Sequence, residues 1–160
     1  MRINIESDEL IVASLPKVWA NQLGLSGFFS KSKEGILVLT NKKIIFVPKW
    51  IFVSPRDREN YFGGNEVKIT RMHGYSESEL DEDISEQPKS FIIPLESIVN
   101  VENVEMRKAN FLRITFRLDG RKKVYDFGIA KAVTSYPVRQ VLQYLSIDWS
   151  PWVRVINAYL

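Results

Sequence analysis

Two short, unbroken apolar runs stand out along the chain: ILVL at residues 36–39 and IIFV at residues 44–47. A polar corner, Thr40-Asn41-Lys42-Lys43, separates them. Both runs are rich in β-branched residues and bounded by turn formers, which predicts two strands joined as a hairpin. Asparagine tolerates the positive φ of a tight turn, so Asn41 suits the corner. Pro48 limits the second strand.

Upstream, residues 10–23 alternate poorly and contain Pro16, which argues for one long, bent strand rather than a helix. A Gly-, Ser- and Lys-rich loop then spans residues 24–34. Downstream, residues 49–90 are the least regular part. WIFV at 50–53 reads as a continuation of strand, and EVKITRM at 66–72 as an alternating strand with Val67 and Ile69 on one face. Residues 76–90 are acidic and free of aromatics, which predicts an exposed, mobile loop.

The pattern then sharpens. In residues 91–106, Val99 and Val101 share a face, and a bulge at Asn103 would bring Val104 and Met106 onto it. In residues 111–118, Leu112, Ile114, Phe116 and Leu118 point one way, and Arg113, Thr115 and Arg117 the other. Asp119-Gly120 is the strongest two-residue hairpin signal in the chain. The return strand, 121–129, turns Tyr125, Phe127 and Ile129 inward. Past Ile129 the period becomes helical. Val138, Val141, Leu142 and Leu145 form one stripe behind Thr134 or Ser135 as cap and Pro137 in the first turn. Trp152, Val155, Ile156 and Tyr159 form a second behind Ser150-Pro151. The tail, 134–160, is therefore one kinked helix or two short ones.

These elements predict a mainly β protein with C-terminal α structure, in a single domain over 1–160. A partly closed antiparallel barrel of about seven strands, capped by the C-terminal helix, would hide the strand edges. Residues 49–90 are then an insertion after the third strand, and the segment after Ser150 an extra helical piece.

The wording of the hairpin resembles the GRAM-like branch of the pleckstrin-homology superfold. Asp8-Glu9-Leu10-Ile11-Val12 matches its acidic-apolar start. Gly35, Leu37, Leu39, Thr40, Asn41, Lys43, Ile44, Ile45 and Phe46 match its G-x-L-x-L-T-N-x-R-L-I-F hairpin, with Lys43 for the usual arginine. Ile93, Pro94, Leu95, Ile98 and Val101 match its I-P-L-x-x-I-x-x-V strand. The resemblance implies a domain that binds and does not catalyse, and members of the superfold bind phosphoinositides, peptides and scaffolds alike.

Charge adds a contrast. The net charge is +3, but residues 28–58 carry +5 and residues 59–90 carry −5. In lipid-binding members of the superfold the loop after the first strand holds headgroup bases, so Lys31, Lys33, Lys42 and Lys43 are the anion- or lipid-binding candidates. Phe28 and Phe29 could enter a bilayer or close the core. The stripe Arg113, Arg117, Arg121, Lys122 and Lys123 could contact nucleic acid or simply be solvated; nucleic acid is the less expected partner. The terminal stripe of Trp149, Trp152, Val155, Ile156 and Tyr159 is either core or an interface for a partner or a second copy.

Candidate chemistry is sparse. The chain has no cysteine, which removes thiolate metal sites and cysteine nucleophiles. His73 is the only histidine, and no G-x-S-x-G, HExxH or glycine-rich phosphate loop accompanies it. The acids Glu77, Glu79, Asp81, Glu82, Asp83 and Glu86 lack the spacing of a calcium loop and read as a solvated loop or a docking strip. No cofactor and no metal are expected. The expected role is a non-enzymatic binding module acting through protein contacts or self-association. The alternative is binding of an anionic membrane surface through the basic loop, and a remote one is an acid–base or metal enzyme using His73 and the acidic run. The start MRINIESDEL has acids where a signal peptide needs an apolar core, so a cytoplasmic location is expected, peripheral at the membrane in the lipid-binding case.

Overall fold

The computed structural model describes residues 2–24, 32–106, 108–131 and 144–160. Seven strands form one antiparallel sheet: β1 Ile11–Leu23, β2 Lys33–Thr40, β3 Lys43–Val47, β4 Phe91–Pro94, β5 Ile98–Met106, β6 Ala109–Leu118 and β7 Arg121–Ile129. Their order is β4-β3-β2-β1-β7-β6-β5. The described helices are α1 Pro55–Phe62, α2 Glu77–Glu86 and the C-terminal α3 Ser150–Ala158, with single 3-10 turns at Gly63–Asn65 and Leu95–Ser97. None is long and apolar enough to cross a membrane.

The sheet curls without closing. Phe46 of β3 lies 6.1 Å from Phe127 of β7, and Phe91 of β4 stacks on Tyr125 of β7 at 4.5 Å. Strands far apart in the order thus meet across the concave face, yet the edge strands β4 and β5 do not pair. The bend is built into β1. Its register shifts between Leu15 and Val18, and Lys17 there takes φ 65°. Pro16 falls in this bulge, where its missing N–H leaves no gap in the ladder.

The unbroken apolar runs have a direct cause: residues 36–40 and 44–47 are buried on both faces. One face meets the aromatic core. The rest of the burial comes from the insertion, whose Tyr61, Val67, Met72, Tyr75 and Leu80 join the same apolar cluster. Gly35 is required where β2 begins, because a Cβ there would lie 2.2 Å from the Val47 carbonyl oxygen.

Several expectations need correction. Residues 76–90 are not a loop: Ser76 caps α2 by accepting from the Glu79 N–H, and Leu80, Asp81 and Asp83 are buried. Residues 50–53 lie outside every strand, with Trp50 and Phe52 exposed. Residues 66–72 form no ladder either; one bridge joins Glu66 to Asp148, and Thr70 accepts from the Ser14 N–H. The hairpin corner needs no positive φ at Asn41. Instead the Thr40 hydroxyl accepts from the Lys42 and Lys43 N–H groups, and Asn41 pairs with Leu10. Val101 is buried but Val99 is exposed, because the register shifts between Ile98 and Asn100; no shift occurs at Asn103. By contrast, Asp119 (φ 53°) and Gly120 (φ 74°) make the two-residue turn the sequence predicts.

The stripe from Val138 to Leu145 lies outside the described residues except for Leu145, which bonds to Ile129 and Asn110 in extended fashion. One continuous kinked helix is therefore excluded. At the start of α3, Asp148 rather than Ser150 does the capping, accepting from the Ser150 N–H and hydroxyl.

Candidate functional site

The predicted interface comes first, because its fate is the simplest. Trp149, Trp152 and Ile156 are fully buried. The Trp152 indole donates to the Lys68 carbonyl at 3.0 Å, and the two indole rings meet edge to face at 6.1 Å. The helix packs against β5 and reaches the insertion through Trp152, and of the stripe only Tyr159, 44% exposed, with Leu160 beyond it, faces solvent fully; Val155 is half-buried. Of the two roles open to this stripe, these side chains fill the core role.

The predicted anion-binding lysines divide. Lys31 lies outside the described residues, as do Phe28 and Phe29. Lys42 pairs with Glu6 and Asp8, whose hydrogen bonds raise its ammonium to about 12. Lys43 pairs at 3.0 Å with Glu9, which is fully buried. Burial opposes ionisation of Glu9, but the Thr40 hydroxyl, the Lys43 ammonium and the Glu6 N–H outweigh it and hold its carboxyl below the usual value. Both hairpin lysines are therefore already paired with carboxylates of the N-terminal segment.

Lys33 has different company. It begins β2 opposite Ala20, and Gln22 of β1 pairs with Tyr125 of β7. This register gathers Ala20, Gln22, Lys33, Phe46, Lys89, Phe91 and Tyr125 around a cavity of about 170 Å³ at one end of the sheet. Lys89 reaches the cavity because it ends the turn between α2 and β4. Among the described residues neither Lys33 nor Lys89 enters an ion pair. Partial burial and the Lys89 ammonium beside it hold Lys33 below the ordinary lysine value. Two ammonium groups close enough to repel each other in one aromatic-lined cavity make a place where a bound anion would relieve repulsion. Strand parity puts Lys123 and Arg121 on the same face as Tyr125, further out along β7.

Lys89 was the residue that sequence reasoning missed. It sits at the tail of the acidic run, and nothing local links it to Lys33.

The acids of that run have internal work. Asp81 accepts from the N–H groups of Ile3, Asn4 and Ile5. Asp83 binds Lys49 at 2.9 Å and the Tyr75 hydroxyl at 2.8 Å; burial and this carboxylate push the Tyr75 hydroxyl far above its usual value. Glu77 accepts from the Ile11 N–H and pairs with Arg71. Glu79, Glu82 and Glu86 face solvent. His73 is exposed and lines a wider cleft of about 580 Å³ with Asp57, Arg71 and Phe52 among others. No carboxylate is hydrogen-bonded to it among the described residues. In the basic stripe, Arg113 is held bidentate by buried Asp126 at 2.8 and 2.9 Å. Arg117, Arg121, Lys122 and Lys123 stay exposed. Compared with protein-family models and with curated proteins, the chain matches none.

Proposed function

We propose that this chain is a non-enzymatic binding module of the pleckstrin-homology or GRAM-like kind, and that it takes an anionic group of a membrane surface at the cavity walled by Lys33 and Lys89. The curled seven-strand sheet with a C-terminal helix and the wording of the β2–β3 hairpin support the fold reading. The observation that carries the binding reading is that Lys33 and Lys89, neither in an ion pair among the described residues, line one cavity with Phe46, Phe91 and Tyr125. It moves the anion site from the hairpin lysines to Lys33 and Lys89, and puts the membrane reading ahead of the protein-contact one, whose tryptophans are core.

Co-sedimentation with phosphatidylserine-containing vesicles, set against pure phosphatidylcholine, tests it. Each base near such a surface adds about 1 kcal/mol, so Lys33→Ala and Lys89→Ala should each weaken partitioning about fivefold. Equal binding to neutral and anionic vesicles, or unchanged binding by both variants, would end the reading.

A protein-contact reading keeps one specific support. Trp50 is 67% exposed, and Phe52, which lines the wider cleft, is 73% exposed. If they mediate self-association, sedimentation equilibrium will find a multimer that Trp50→Ser with Phe52→Ser dissolves; a monomer at all concentrations rules this out.

A further inference from the structure

The sequence writes a strand where the fold has none. Trp50, Ile51, Phe52 and Val53 are β-forming residues in a row, between Pro48 and Pro55. Their burial alternates as a strand's does: Ile51 and Val53 pack on the core, and Trp50 and Phe52 point to solvent. All four keep negative φ. Yet the segment belongs to no ladder, and no backbone group of residues 50–53 makes a hydrogen bond among the described residues. An apolar stretch with unpaired backbone groups is a template for another strand.

Charge points to the occupant. Two copies that meet about a twofold axis bring identical patches together, so such a patch must carry no unanswered charge. The cations next to the segment meet this condition. Lys49 is held by Asp83 at 2.9 Å, and Lys17, whose ammonium lies 4.4 Å from the Trp50 ring centre, pairs with Glu34 at 3.8 Å. The segment is also its own complement. An antiparallel pairing centred on Ile51 sets Trp50 of each copy opposite Phe52 of the other, which makes two aromatic cross-strand pairs on one face.

We infer that residues 50–53 pair with the same residues of a second copy of this chain, as an antiparallel bridge held by backbone hydrogen bonds. The inference rests on the self-association reading of Trp50 and Phe52 and gives it a geometry, and the experiment tells the two apart.

The chain has no cysteine, so single cysteines report the register cleanly. In this register, residues 50 and 52 of different copies face each other within disulfide range. Residue 50 against 50, or 52 against 52, is two residues out of step, about 8 Å apart and too far to bridge. Both positions are exposed, so Trp50→Cys and Phe52→Cys should melt as the parent does. Mixed in equal amounts and oxidised, they should give a mixed disulfide dimer that outnumbers either single-variant dimer by at least about tenfold, where random pairing gives about twofold. Sedimentation equilibrium of the parent chain should find a dimer. A parent dimer that Trp50→Ser with Phe52→Ser dissolves, but whose cysteine variants cross-link at random, overturns the strand pairing and leaves self-association standing. A parent chain that is monomeric at all concentrations overturns both.

Discussion

Asp81 holds the N-terminal segment by its backbone: three successive N–H groups, of Ile3, Asn4 and Ile5, point at one buried carboxylate. Burial raises its pKa, and these bonds lower it further, so the carboxyl titrates below its usual range. A depressed folded value contributes stability that is present above the unfolded pKa, near 4, and disappears as pH falls through the lower folded one. Glu9 has the same sign and adds to the same window. Urea unfolding of the parent chain should therefore lose stability steeply below about pH 4, and Asp81→Asn should flatten that dependence. At neutral pH the variant should be less stable by about 2 kcal/mol, the usual worth of hydrogen bonds to a charged acceptor. A second residue-scale outcome concerns Lys43. Lys43→Met leaves Glu9 buried without its counter-ion, and truncating one partner of a buried pair costs roughly 3 kcal/mol. Chemical denaturation should show that loss while vesicle binding per folded molecule is unchanged.

At the scale of elements, α3 is a wall of the core. Trp152 touches the insertion through its indole bond to Lys68, and Ile156 is buried on the same side. Trp152→Ala should cost about 3–5 kcal/mol, the range for deleting a large buried aromatic. A chain ended after Ser150 should lose cooperative thermal unfolding in circular dichroism; a truncated chain with the parent's melting point would show that α3 is dispensable. The strands were legible because burial on one or both faces writes itself into the sequence as alternation or unbroken apolar runs. Helix α2 was not, because a helix that contacts the core through Leu80 and Ile84 alone, and otherwise through carboxylates, shows little apolar stripe. Its start was in fact written: Ser76 and Glu79 stand at capping-box spacing, and Ser54-Pro55 opens α1 with the same signal as Ser150-Pro151. The cavity was half legible. Lys33 could be picked from its charged loop, but Lys89 joins it only through the packing of α2 and the register of β4, which no local pattern encodes.

For the molecule as a whole, the placement of charge decides more than its sum. At the β2–β3 end, Glu6, Asp8 and Glu9 answer Lys42 and Lys43. At the opposite end, Lys33 and Lys89 line the cavity and enter no ion pair among the described residues. Two mechanisms of attraction to an anionic surface then make different forecasts. If the net charge of +3 acts as a unit, any lysine reversed to glutamate lowers it equally and weakens binding equally. If the molecule docks by one end, position matters, because charges further from the surface than a Debye length of about 8–10 Å are screened at physiological salt. Lys42→Glu and Lys33→Glu change the net charge identically and lie at opposite ends of β2 and its hairpin. Vesicle partitioning near 0.15 M salt should fall at least fivefold for Lys33→Glu and stay within about twofold of the parent for Lys42→Glu, a change well under the worth of one surface base. Equal losses in the two would show that the chain is attracted by its overall charge and has no binding end.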